Sequence, residues 1–198
     1  MKIGIIAEDD SDVAVIREIT LTLLKPRAVG FRQFVGNGCG KLRRKCGAWS
    51  RTLVSQGCPW IVVVHDLDLY NGNELRLELD NAISPAGASV SVILIPKREI
   101  EAWLLFDGAA IARAFRMSQP PKLPGNPESL PDPKRHLSDI IWRKYRKDYL
   151  NTLHNALIAK HIVVSRLQGS RSFVPHLQFT AAVKSVLAGG DNRHRHRR

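Results

Sequence analysis

No apolar run in the chain approaches the roughly 18 residues that a membrane-crossing helix needs. Met1-Lys2 leads straight into Ile3-Gly4-Ile5-Ile6 rather than into a long apolar leader. A signal peptide is therefore not expected, and the cytoplasm is the expected compartment. Cysteine is scarce. Cys39, Cys46 and Cys58 form an odd set without paired metal spacing, which reads as reduced thiols; zinc would need a further ligand such as His65. Acid is scarce too, with 18 Asp and Glu against 30 Lys and Arg, a net charge of +12. An enzyme of small neutral substrates has no need of that excess, whereas phosphate-rich partners are drawn by it. Removing residues 191–198 takes away four arginines and one aspartate, and the remaining body stays strongly basic. A P-loop is missing as well. Gly36-Asn37-Gly38-Cys39-Gly40-Lys41 lacks its spacing, and Leu42 stands where a magnesium-holding Ser or Thr would be, which excludes nucleotide hydrolysis of that type. Lys41, Arg43, Arg44 and Lys45 are left either as phosphate contacts or as a solvated helix surface.

What the chain does have is Ile61-Val62-Val63-Val64 running into His65-Asp66-Leu67-Asp68. A block of β-branched residues between Pro59 and Asn71-Gly72 predicts a strand covered on both faces, as in a parallel sheet. Side chains alternate along a strand, so Asp66 and Asp68 fall on one side. They sit at the carboxyl end, where open α/β sheets build their sites. The plainer alternative is that one of them merely starts a turn.

The rest of the chain fits around this strand. Residues 2–7 predict a first strand, followed by Glu8-Asp9-Asp10-Ser11-Asp12 and a helix over 13–24 that Lys25-Pro26 ends. Residues 31–35 predict a strand, 49–53 part of a helix, 73–83 a helix and 91–95 another strand. A helix from Pro96 through Leu105 would carry Glu99 and Glu101 in its first turn. Residues 118–133 are proline-rich and predict an irregular connection. A basic helical stretch over 134–162, a turn at 169–173 and a last helix over 179–187 follow, and Gly189-Gly190 precede a tail expected to be disordered. The expected fold class is α/β: a doubly wound, mainly parallel sheet flanked by helices over 1–110. A connection with a helical extension covers 111–190, and the basic tail 191–198.

If the first and central strands are neighbours, about 4.8 Å apart, then Glu8, Asp66 and Asp68 converge. Asp12, one helical turn beyond Glu8, reaches the same space. Hard oxygen ligands of this kind suit Mg²⁺ or Mn²⁺. A carboxylate-held metal beside a basic surface suits phosphodiester cleavage.

Glu8-x-x-x-Asp12 after a first strand, with Asp66-x-Asp68 after a later one, resembles the Toprim domain. That domain is shared by topoisomerases, bacterial primases, small RNA-maturing nucleases and the overcoming-lysogenization-defect nucleases. More narrowly, three features resemble small bacterial Toprim-like proteins of unassigned function. They are Ile95-Pro96 with the block Ile100-Glu101-Ala102-Trp103-Leu104-Leu105-Phe106-Asp107, Asp132-Pro133-Lys134, and Ser172-Phe173 with its following helix. The resemblance implies a Toprim-like fold over 1–110 and a Mg²⁺-dependent nuclease acting on DNA or RNA. Its catalytic residues would be Glu8, Asp66 and Asp68. Glu8 would be general acid/base or ligand, Asp66 and Asp68 ligands, Asp12 a supporting ligand, and Glu101 part of a second metal site. It also implies an ATPase partner protein in phage defence and no membrane, and it leaves a homo-oligomer open. Nucleic-acid contacts are expected at Lys41, Arg43, Arg44, Lys97, Arg98, Lys134 and Arg171. One departure is Asp9, where Toprim proteins usually carry glycine; a turn with positive φ would still admit Asp.

Two other readings stand beside this one. A non-catalytic nucleic-acid-binding or partner-docking subunit would keep the geometry without the chemistry. A phosphorelay receiver would share Glu8-Asp9-Asp10 and use Asp66 as phosphoacceptor. It expects Ser or Thr at the end of the fourth strand, where this chain has Ile95-Pro96.

Overall fold

A computed structural model describes residues 1–195 of the chain. In chain order its main elements are β1 (Lys2–Ala7), α1 (Asp10–Leu24), β2 (Gly30–Val35), α2 (Cys39–Ser55), β3 (Trp60–Val64), α3 (Gly72–Ile83) and β4 (Val90–Leu94). Then follow α4 (Glu101–Leu104), α5 (Gly108–Ala114), α6 (Pro133–Tyr145), α7 (Asn151–Ala159) and α8 (Val174–Arg195). The strands form a 4-stranded sheet in the order β2-β1-β3-β4, every neighbouring pair parallel. The α/β class and the parallel sheet flanked by helices therefore match the sequence expectation. So does the condition on which the acid cluster depended: β1 and β3 are neighbours, with Ile6 opposite Val63.

Strand alternation divides the core into two layers. Ile3, Ile5, Ala7, Trp60, Val62, Val64 and Leu94 pack with residues of α1, α4, α5, α7 and α8. Ile6, Ile61, Val63, Ile93 and Ile95 pack with α2 and α3. Fully burying each such side chain contributes roughly 1.5–3 kcal/mol, so both layers are needed to hold a two-faced sheet. The second layer sits close. A Cβ at Gly4 would lie 2.8 Å from side-chain carbons of both Ile61 and Leu53, so α2 can approach β1 only because residue 4 has no side chain.

Three expected elements differ. The helix predicted from Pro96 begins only at Glu101. His65 N–H donates to Leu94 O and Leu67 N–H to Pro96 O, so residues 94–96 extend the sheet ladder instead of turning into a helix. Glu99 therefore does not belong to that helix's first turn. Its Oε2 accepts from Lys134 N–H at the start of α6 (3.0 Å), a dipole contact to a different helix. The basic stretch expected as continuous over 134–162 breaks at Arg146, which has φ 54 and ends α6, and resumes at Asn151. The last helix begins at Val174, earlier than expected, and is described through Arg195. Residues 196–198 of the expected tail lie outside the described residues. No helix among the described residues is long and apolar enough to cross a membrane.

Candidate active site

The site lies at the carboxyl ends of β1 and β3, the point where the strand order reverses direction. The alternation that built the two layers also sorts the acids. Glu8 follows Ile6 toward the α2/α3 layer and meets His65, which follows Val63 on the same side. His65 is fully buried. Its Nδ1 lies 3.0 Å from Glu8 Oε1 and 2.7 Å from Asp66 O. Burial pulls the His65 pKa down. The bonds to the Glu8 carboxylate and the Asp66 carbonyl more than offset that, and the net position is above the ordinary value of 6.5. Glu8 Oε1 also accepts from Asp66 N–H at 3.0 Å, which ties the end of β1 to the segment after β3. Both contacts use Oε1.

Asp66 follows Val64 toward the other layer, where α1 and α4 bring Asp12 and Glu101. Asp9 caps α1 in extended conformation (φ −139). Its Oδ1 accepts from Ser11 and Asp12 N–H, and Asp12 Oδ2 accepts from Asp9 N–H, a reciprocal capping box. The turn does not call for positive φ at residue 9, so Asp9 in place of glycine is a capping residue rather than a strained one. The box holds Asp12 almost fully buried. Glu101, also buried, opens α4; its Oε1 accepts from Tyr149 O–H and from Asn155 Nδ2–H, each at 3.1 Å. Tyr149 O–H makes a second, short contact to Asn155 Oδ1. Asn151 reaches from α7 to Ser11 Oγ (3.2 Å), which closes the wall between α1 and α7.

The electrostatics follow from this crowding. Burial, then the charge of Asp12, then Glu8, Glu101 and Asp68 hold the Asp66 carboxyl well above its ordinary 3.8. Asp12 is raised in the same way by burial, Asp9, Glu101 and Glu8. Asp66 Oδ1 is buried with no hydrogen-bond partner. Asp68 sits on the exposed rim with φ 45, its carbonyl accepting from Arg98 Nη1 (3.3 Å). Its own carboxyl is raised by desolvation and Glu8 against the lowering pull of His65 and Arg98. Like charges that raise one another are relieved by a proton or a cation. An all-oxygen donor set with one orphaned buried oxygen fits a hard divalent ion. As they stand, no three His, Cys, Asp or Glu side chains among the described residues are gathered to hold one.

The expected cations fall in separate places. Arg43 is committed to Glu78 through a bidentate contact (Nε to Oε1, 2.9 Å) and lies over the Tyr70 ring. Arg44 lines the same shallow hollow, and Lys41 is exposed on α2. Arg98 stays with Asp68, and Lys134 offers its backbone N–H to Glu99. Lys97 and Arg171 share a cleft beyond β4. Sequence reasoning missed the partners that hold the acids. His65 figures in the sequence only as a spare zinc ligand, and Tyr149 stands in no motif. Asn155 and Glu128 carry no motif.

The sequence profile of a domain of unknown function, DUF4276, matches residues 39–178. The chain belongs to the DUF4276 family. The matched span carries Asp66, Asp68, Glu101, Tyr149, Asn155 and Arg171, while Glu8 and Asp12 precede it. No curated protein and no solved structure matches.

Proposed function

We propose that the protein is a Mg²⁺-dependent nuclease of Toprim type, hydrolysing phosphodiester bonds of DNA or RNA, with Mn²⁺ as a substitute ion. The observation that carries this reading is the buried, unpartnered Asp66 oxygen among four other acids, Asp12, Glu8, Glu101 and Asp68, in a strongly basic chain. Asp66 and Asp68, with Glu8 Oε2 or Asp12, would hold the ion. Glu101 stands behind them for a second. Bound there, the ion supplies charge neutralisation of the phosphate and a water of lowered pKa. His65 fixes Glu8 through Oε1 and leaves Oε2 free to take a proton from the attacking water. The capping box fixes Asp12, and Tyr149 with Asn155 fixes Glu101. Exposed lysines and arginines hold the backbone of the nucleic acid. The accompanying ATPase and the role in phage defence belong to the same proposal.

The test is Mg²⁺-dependent cleavage of plasmid DNA or structured RNA, expected to vanish with EDTA and in Glu8→Gln and Asp66→Asn. Variants that cleave as well as wild type would defeat it. A second reading, a nucleic-acid-binding subunit without chemistry, is favoured by the commitment of Glu8 Oε1 to His65 and to the Asp66 N–H. It predicts binding that survives both substitutions, with no cleavage even when a partner ATPase is supplied.

A further inference from the structure

Beyond the carboxyl end of β4 lies a cleft of about 810 Å³. Leu67 lines it, while Asp66 Oδ1 is buried and Asp68 lines a different hollow with Arg98 and Glu99. The wall of the cleft is cationic, with Lys97 and Arg171 exposed and Arg76 anchored to Ile93 O (3.1 Å). The lone acid lining it is Glu128, and that charge is already occupied. Glu128 Oε1 accepts from Ser170 Oγ–H (2.7 Å) and Ser172 N–H (3.2 Å), and Oε2 from Arg171 N–H (3.2 Å). Glu128 thus stations Arg171 at the rim without neutralising it. Gly72 and Asn73 at the start of α3 line the same space, but the Asn73 and Glu74 N–H groups are already taken by Asn71 Oδ1 (3.0 and 3.3 Å).

The cleft is not only a cation trap. Phe106 lines it, and Gly169 leaves the ring uncovered. A Cβ at residue 169 would lie 3.3 Å from Phe106 Cε1, so any side chain there would crowd or cover the ring. The Asn73 amide lines the cleft, as does the Asn126 amide, whose Oδ1 is taken by Glu128 N–H (3.1 Å) and whose NH₂ remains as donor. Cations for a phosphate, an aromatic face for a planar ring and amides for ring edges are the elements of nucleotide recognition.

We propose that this cleft binds a nucleotide unit, its base against Phe106 and its phosphate between Lys97 and Arg171. Two sources carry that chemistry, a free nucleotide or a single-stranded segment of nucleic acid. The polymer source rests on the nuclease reading; the free-nucleotide source does not. The probe is a fluorescent ten-nucleotide single strand, with binding followed by anisotropy in EDTA so that no turnover enters. Nucleoside monophosphate, inorganic phosphate and polyglutamate serve as competitors. Lys97→Ala with Arg171→Ala should weaken binding about tenfold or more, because each removes a phosphate contact at an exposed position with no folding role. Phe106→Leu and Gly169→Val should each lower the affinity for monophosphate by about tenfold while leaving inorganic phosphate unchanged. Melting temperatures close to wild type establish that these variants fold. Competition by monophosphate at similar concentration identifies a free nucleotide; competition by the oligomer alone identifies a strand. Either supports the cleft. Binding of the double variant within about twofold of wild type overturns it, as does polyglutamate competing as well as the oligonucleotide. A wild type that binds but never cleaves defeats the nuclease reading and leaves the cleft standing. Cleavage with unchanged KM in the double variant does the reverse.

Discussion

Glu128 and Asp66 are both carboxylates removed from bulk water, and they have opposite surroundings. Glu128 is 7% exposed, yet Ser170, Arg171 and Ser172 converge on its two oxygens. Although burial alone would raise it, these hydrogen bonds hold its pKa below the ordinary 4.5. Asp66 has a buried oxygen with no partner and four other acids raising it. A satisfied buried charge ties a fold together; an unsatisfied one costs stability and persists where a ligand relieves it. Glu128 organises the loop that carries Arg171, whereas the buried Asp66 oxygen has no such partners.

The sharpest break of this contrast uses neutral isosteres. Asp66→Asn should lower Mg²⁺-dependent cleavage on the order of 10²–10³-fold, since it removes a direct ligand. It should also raise the melting temperature, because a repelled charge disappears. Glu128→Gln should do the opposite. Stability should fall by about 1–3 kcal/mol, as donors aimed at a carboxylate lose their partner, while chemistry at the acid site continues. Denaturant unfolding beside a cleavage assay reads both. A Glu128 variant as stable as wild type would remove the distinction.

The pH dependence of stability should show two arms of opposite sign. Asp12 and Asp66 have folded-state pKa values above 3.8, so the folded protein binds more protons than the unfolded chain. Their contribution is fully present below 3.8 and is lost as pH rises through the raised values. Glu128 is lowered from 4.5, so its contribution is present above 4.5 and is lost as pH falls. Asp66→Asn should flatten the first arm and Glu128→Gln the second. Millimolar Mg²⁺ should raise the melting temperature at pH 8 more than at pH 5, because only ionised carboxylates bind it. At about 100 times its Kd the gain is roughly 2.7 kcal/mol. An equal shift at both pH values would mean that the ion binds elsewhere.

The sequence announces the half of this contrast that lies on strands. The β-branched run Ile61–Val64 and the opening KIGIIA carry strand periodicity, so Glu8 and Asp66 are visible as acids at strand ends. What it hides is tertiary. Alternation applied to β3 alone puts Asp66 and Asp68 on one side, but the sorting of Glu8 to the opposite layer depends on the register Ile6↔Val63. His65 becomes a holder of Glu8 only through that same register. Pro96 looked like a helix start because proline suits a first turn. The ladder bond from Leu67 N–H to its carbonyl, a contact 29 residues distant in sequence, decided otherwise. Glu128 lies in a proline-rich stretch that has no period to read, and its serines are more than 40 residues further along the chain.

Glu101 stands between the two extremes and gives the finest test of the contrast. It is 3% exposed, and both of its donors, Tyr149 and Asn155, meet at Oε1. Its charge still reaches Asp66 and Asp12, where it raises both. Tyr149→Phe removes one of the two donors and leaves Asn155. The expected loss is about 1 kcal/mol of stability, smaller than for Glu128→Gln because one hydroxyl, with its contacts to Glu101 and Asn155, goes rather than a whole set of donors. With one of its donors gone, the Glu101 carboxylate is held less firmly beside Asp66 and Asp12, and its charge should press on them less. The stability loss on the rising-pH arm should then shrink relative to wild type. If Tyr149→Phe leaves that arm unchanged while lowering stability, Glu101 is a structural acid of the Glu128 kind. Its place beside a second ion would then have no support.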